Sequence, residues 1–69
     1  MSVSILEALK NAEMNLDSAK ILGLAILPLI KEQVYNARIL LEKGYDKYEE
    51  IEPLLEAYGS VESVPEKGG

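Results

Sequence analysis

The densest set of chemically capable side chains is Glu49, Glu50, Glu52 and Glu56. Glu49, Glu52 and Glu56 stand at i, i+3 and i+7, which on a helix is one face. Carboxylates grouped this way offer three kinds of chemistry. A general acid/base pair needs burial in a cleft, so that one carboxyl keeps its proton near neutral pH. A chain of 69 residues has too little material to build such a cleft within one subunit. A calcium loop needs closely alternating Asp or Asn with a Gly, and no such stretch occurs. What remains is a solvated acidic face over Glu49, Glu50, Glu52 and Glu56, serving at most to dock a basic partner. On such a face Glu50→Ala is expected to be nearly silent.

Tyr35, Tyr45, Tyr48 and Tyr58 are the only aromatic residues. Tyrosines can stack on nucleic-acid bases, but three of these four lie among the acids. They are expected instead to anchor a core or an interface with the hydroxyl kept wet. The chain has no His and no Cys. It therefore lacks the usual neutral-pH acid/base group, the commonest metal ligand, and any disulfide or thiolate metal site. No catalytic, cofactor-binding or metal-binding residue is assigned, no cofactor is expected, and the chain is read as a non-enzyme.

The net charge of −5 is unevenly spread. Residues 1–38 balance four acids (Glu7, Glu13, Asp17, Glu32) against four bases (Lys10, Lys20, Lys31, Arg38). Residues 39–69 hold eight acids and three bases, so all of the net charge is theirs. This balance repels phosphate backbones and anionic lipid, and argues against nucleic-acid and membrane partners. The start Met1-Ser2-Val3-Ser4-Ile5-Leu6-Glu7 shows no basic leader or apolar signal core, and the expected location is the cytoplasm.

The elements that position these groups are helical. Ser4-Ile5-Leu6-Glu7 has the form of a capping box and predicts a helix start near residue 4. Ile5, Leu9, Ala12, Leu16 and Ala19 then follow at alternating spacings of 4 and 3, a heptad-like seam, with charges on the outer face to about Leu22. Gly23, followed by Leu24 and then Pro28, fits a Schellman-type ending with Pro28 opening the next helix. The alternative is one helix over 4–43 kinked at Pro28. From Leu29 a second stripe of Ile30, Val34, Ala37 and Leu41 is clear, with Leu27 and Leu40 alongside, and Gly44 is a stop. Asp46-Lys47-Tyr48-Glu49 is a second cap-like start. Pro53 divides this third segment into a turn at 46–51 and a helix at 53–58, or kinks a single helix. Residues 1–59 thus form one helical domain, and 60–69 a flexible tail that docks at most Val61 or Val64.

The segment Leu54-Leu55-Glu56-Ala57-Tyr58-Gly59-Ser60-Val61-Glu62-Ser63-Val64 resembles part of helix-hairpin-helix DNA-binding units, which pair a Leu-Leu helix with an aromatic-Gly-Ser turn. The resemblance implies backbone contacts to DNA. The family's hairpin with closely spaced glycines does not follow Val64, and supporting basic residues are missing. The pair Gly68-Gly69 is similar to the diglycine of ubiquitin-like conjugating and sulfur-carrier proteins, but those need a β-grasp sheet, and no strand pattern is present.

The strongest feature is apolar. Residues Ile21 to Ile30 contain no charged or hydrogen-bonding side chain. The run is far short of the ~20 residues that span a bilayer. A segment apolar on every side must be surrounded, and a short chain offers little to surround it with. The fold class expected is all-α: a helical hairpin of 4–22 and 28–43 plus a short third helix, packed as a dimeric or higher helical bundle. The interface would comprise Ile5, Leu9 and Leu16 of the first seam, Ile21, Leu24, Ile26 and Leu27 of the junction, and Ile30, Val34 and Leu41 of the second stripe. The function expected is a small acidic homo-oligomeric interaction module whose partner is itself. An alternative is an accessory subunit docking 21–30 on a larger protein or enzyme; another is a small nucleic-acid-associated regulator. Ile26→Asp is expected to break the assembly and unfold the chain.

Overall fold

A computed structural model describes residues 3–68. Met1, Ser2 and Gly69 lie outside it, and with them the start of the leader reading and half of the diglycine. Helices α1 (Ile5–Leu22), α2 (Leu27–Glu42) and α3 (Tyr48–Tyr58) follow in chain order. No strand occurs among the described residues, where Ser4 and Lys47 form one isolated antiparallel bridge. The all-α class is as expected, and the hairpin, not the kinked long helix, is the form adopted.

Each helix end has a local cause. Ser4 is the N-cap of α1, and its hydroxyl accepts the Glu7 N–H at 3.4 Å. That bond is long, and the entry is held chiefly by the bridge: Ile5 N–H donates to Asp46 O (2.9 Å) and Tyr48 N–H to Val3 O (3.0 Å). Gly23 closes α1 at φ 64°, ψ 37°. The Leu24 N–H reaches Ala19 O at 3.1 Å, the six-to-one bond of a Schellman ending, and the Gly23 N–H shares that carbonyl; both need the left-handed backbone that glycine adopts without strain. Pro28 lies in the first turn of α2, where its missing N–H leaves no bond unmade.

Helix α3 runs unbroken through Pro53. The reading of a separate turn at 46–51 is corrected, as is the start at Asp46. Lys47 is the N-cap, and the Glu50 carboxylate accepts the N–H groups of both Asp46 (3.1 Å) and Lys47 (3.3 Å). Asp46 is committed to the bridge through its carbonyl, so the helix begins two residues later.

The α1 seam meets the α2 stripe. Ile5, Leu9 and Ala12 pack with Val34, Ala37 and Leu40, and Tyr45, Ile51 and Val64 complete the cluster. On α2 the deeply buried leucine is Leu40, at one-turn spacing from Ala37, while Leu41 sits at the edge. Every member of this core comes from residues 5–12 or 34–64. Helix α3 and residues 60–64 therefore close one half of an elongated molecule of 40 × 22 × 20 Å. The other half is the bare end of the hairpin, where Ala19 and Ile30 are the buried residues.

Residues 60–68, read from the sequence as a tail, lie against that core. Val64 is 2% exposed. The Lys43 ammonium donates to the carbonyls of Val61 (2.9 Å), Glu62 (2.8 Å) and Val64 (2.6 Å). The buried Tyr45 donates its hydroxyl to Pro65 O (2.7 Å), and Lys67 N–H reaches Lys43 O (2.8 Å). Three carbonyls converge on one ammonium because the turn after Gly59 forms no continuing helix, and of the three only Val61 O also accepts a backbone N–H, that of Val64 at 3.3 Å.

Candidate functional site

The hairpin end carries the most unusual surface. Ile21 is 84% exposed and Leu22 68%, and Leu24, Ile26 and Leu29 are each about half exposed. Single exposed apolar residues are ordinary. Five large ones within nine consecutive positions form a patch of the kind that marks a contact surface. The local reason is geometric. A hairpin of two helices buries only the facing seam, and at this end no third element covers the remaining sides. Around the patch stand Asp17 and Lys20 on α1 and Lys31 and Glu32 on α2, all exposed.

The expected interface residues divide into two groups. Ile5, Leu9, Ile30 and Val34 are buried within the single chain, and Leu16 and Leu41 are partly buried against its own core. They meet each other across the hairpin and are not available to a second copy while the chain stays folded. Ile21, Leu24 and Ile26 are exposed and Leu27 half-buried, all at one end. Leu22 and Leu29 belong with them. Both lie in or beside the all-round apolar run, which is itself the signal: a run without a polar side has no outer face to leave out of the interface.

The acidic residues also divide. Glu49, Glu52 and Glu56 are exposed on α3. Glu50, about a third exposed, caps α3 and pairs with Lys67 at 2.5 Å. That ion pair, first, and the two backbone N–H bonds hold its carboxyl at about 2, well below the usual carboxylate range. The same partner pushes the Lys67 ammonium up. Glu50 is therefore engaged with partners within its own chain, unlike Glu49, Glu52 and Glu56, and Glu50→Ala is no longer expected to be silent. Because the folded value lies below the unfolded one, Glu50 supports the fold above about pH 4.5, and that support is lost as pH falls from there toward 2. Glu50→Gln is expected to lower the thermal midpoint at pH 7 and to shrink the difference in midpoint between pH 7 and pH 3. Glu52→Gln should do neither. Circular-dichroism melts of the two variants at both pH values check this.

The tyrosines form no stacking platform. Tyr45 is buried, Tyr48 is half-buried with its hydroxyl pushed up by burial, and Tyr35 and Tyr58 are about half exposed on different helices. An open groove of about 350 Å³ between α2 and the turn after α3 is lined by Glu32, Asn36, Leu55 and residues 59–62. Its one hydroxyl, Ser60 Oγ, bonds Ser63 Oγ at 2.9 Å and has no imidazole or thiol to activate it. Among the described residues no group of His, Cys, Asp or Glu is placed to hold a metal ion, and no helix is long and apolar enough to cross a membrane. Comparison of the chain with protein-family models, with curated proteins and with solved structures found no match.

Proposed function

We propose that this chain is a small acidic helical interaction module without catalytic activity, and that it self-associates through the uncovered end of the α1–α2 hairpin. The observation that carries the reading is the cluster Ile21, Leu22, Leu24, Ile26 and Leu29, exposed beyond the reach of the chain's own core. Their exposures add to the equivalent of about three whole side chains per copy. At about 1.5–3 kcal/mol for each, covering them in a pair of copies is worth roughly 10–20 kcal/mol. Lost translational and rotational freedom costs roughly 4–15 kcal/mol. The two ranges overlap, so the association expected is weak.

Sedimentation equilibrium over a concentration series into the high micromolar range tests the reading. The expected result is a mass that rises with concentration and a melting temperature that rises with it. A well-folded monomer at every concentration overturns self-association.

A further inference from the structure

Resting on that self-association, we infer that two copies of the chain meet end to end, hairpin tip against hairpin tip about a two-fold axis, with their acidic halves pointing apart. A two-fold contact sets a surface against its own copy, so whatever surrounds the apolar centre must be complementary to itself. The surround of this patch meets that condition. Helix α1 presents one acid and one base, Asp17 and Lys20, and α2 presents one base and one acid, Lys31 and Glu32. Its net charge is zero and both signs stand on each helix.

The rest of the charge selects the same arrangement. All of the −5 belongs to residues 39–69. Of these, the start of α3 and residues 63–67 are packed on the half of the molecule away from the tip, while the turn over residues 59–62 lies beside Glu32 and Asn36 of α2. A contact through that half would bring two such charges within the ~8 Å over which physiological salt fails to screen them. Tip-to-tip contact holds them apart in a particle roughly 70 Å long, twice the 40 Å extent less one or two helical turns of 5.4 Å. The flanks of the hairpin offer no rival surface. Val3, Leu6, Met14, Tyr35 and Tyr58 are exposed away from the tip, but they are spread over all three helices and their approaches, with charged neighbours such as Glu7, Lys10, Asp17, Lys31 and Arg38 among them.

The chain has no cysteine, so single-cysteine spin labels report without background. Ser18→Cys places a label near the tip, about 8 Å of helix from Gly23 at 1.5 Å per residue. Glu49→Cys places one at the opposite end. In the associated protein, electron–electron double resonance should find the Ser18 pair within about 30 Å and the Glu49 pair beyond about 50 Å, from the same helix dimensions. A Glu49 pair as close as the Ser18 pair, or closer, overturns the end-to-end arrangement while leaving self-association standing. Absence of any intermolecular distance at concentrations well above the expected affinity overturns both. In a second test, the double variant Lys20→Glu, Lys31→Glu makes the surround uniformly acidic. It should weaken association at least tenfold at low salt, with recovery as salt is raised. Unchanged affinity at low salt contradicts the role given to these four charges.

Discussion

Ile26→Asp is expected to give a folded monomer. Ile26 is half exposed and is the N-cap of α2, a position where it supplies no side-chain hydrogen bond. An aspartate there loses little intramolecular packing. Its charge stands at the N-terminus of α2, whose first turn has no acidic residue, and gains about 0.3–1 kcal/mol from the helix dipole. Against a second copy the balance reverses. An unpaired carboxylate enclosed by Ile21, Leu22, Leu24 and Leu29 of two chains costs several kcal/mol, enough to abolish a weak association. Sedimentation velocity with a parallel circular-dichroism melt separates the two effects: the concentration dependence should vanish, and the helical signal and cooperative melt should stay. An unfolded variant would mean that Ile26 is enclosed within its own chain. An unchanged oligomer would remove the hairpin tip from the interface.

Deletion of residues 60–69 is expected to have the opposite signature, a damaged fold with the tip untouched. It removes Val64 from the core, all three carbonyls from the Lys43 ammonium, the acceptor of the buried Tyr45 hydroxyl, and Lys67 from Glu50. Loss of one buried aliphatic side chain costs about 2 kcal/mol, and each stranded buried polar group about 1–3 kcal/mol. Small domains hold only about 5–15 kcal/mol in all. The shortened chain should therefore unfold at much lower urea, with the α3 signal lost first, because α3 is held to the hairpin through the same cluster. Two point variants apportion the effect. Val64→Ala removes packing alone and should cost about 2 kcal/mol. Lys43→Met keeps the apolar stem and removes the donor, and should cost about 1–3 kcal/mol. Wild-type stability in the deletion would reduce residues 60–68 to the tail expected of their composition.

Glu50 shows how a local signal can be present and still be misplaced. The run Asp46-Lys47-Tyr48-Glu49-Glu50 contains a cap, but Asp is the better N-cap by type, and choosing it puts Glu50 on the outer face. The bridge between Ser4 and Lys47 moves the start to Tyr48, and Glu50 then falls at the third helical position, where its carboxylate reaches back to the preceding N–H groups. That bridge joins residues more than forty positions apart, and nothing in the five-residue stretch announces it. The interface residues show the same division. Periodicity marks Ile5, Leu9, Ile30 and Val34 as buried, and they are. It does not say whether a stripe is covered by the chain's own second helix or by another molecule.

What the amino-acid order determined by itself was everything decided within a few residues. The helices follow from the 3.6-residue spacing of their apolar positions. The end of α1, the start and end of α2 and the end of α3 follow from Gly23, Pro28, Gly44 and Gly59, whose preferences are properties of the local backbone. The uncharged run from Ile21 to Ile30 and the acidic later half are likewise plain in the letters. Tertiary structure alone decided which apolar residues the hairpin consumes and which it leaves bare. It alone paired Glu50 with Lys67 and laid residues 60–68 across Lys43 and Tyr45. The physical reason is that burial and the pairing of polar groups are shared between segments distant in sequence, and a stripe or a lysine acquires its partner only when the chain has closed on itself.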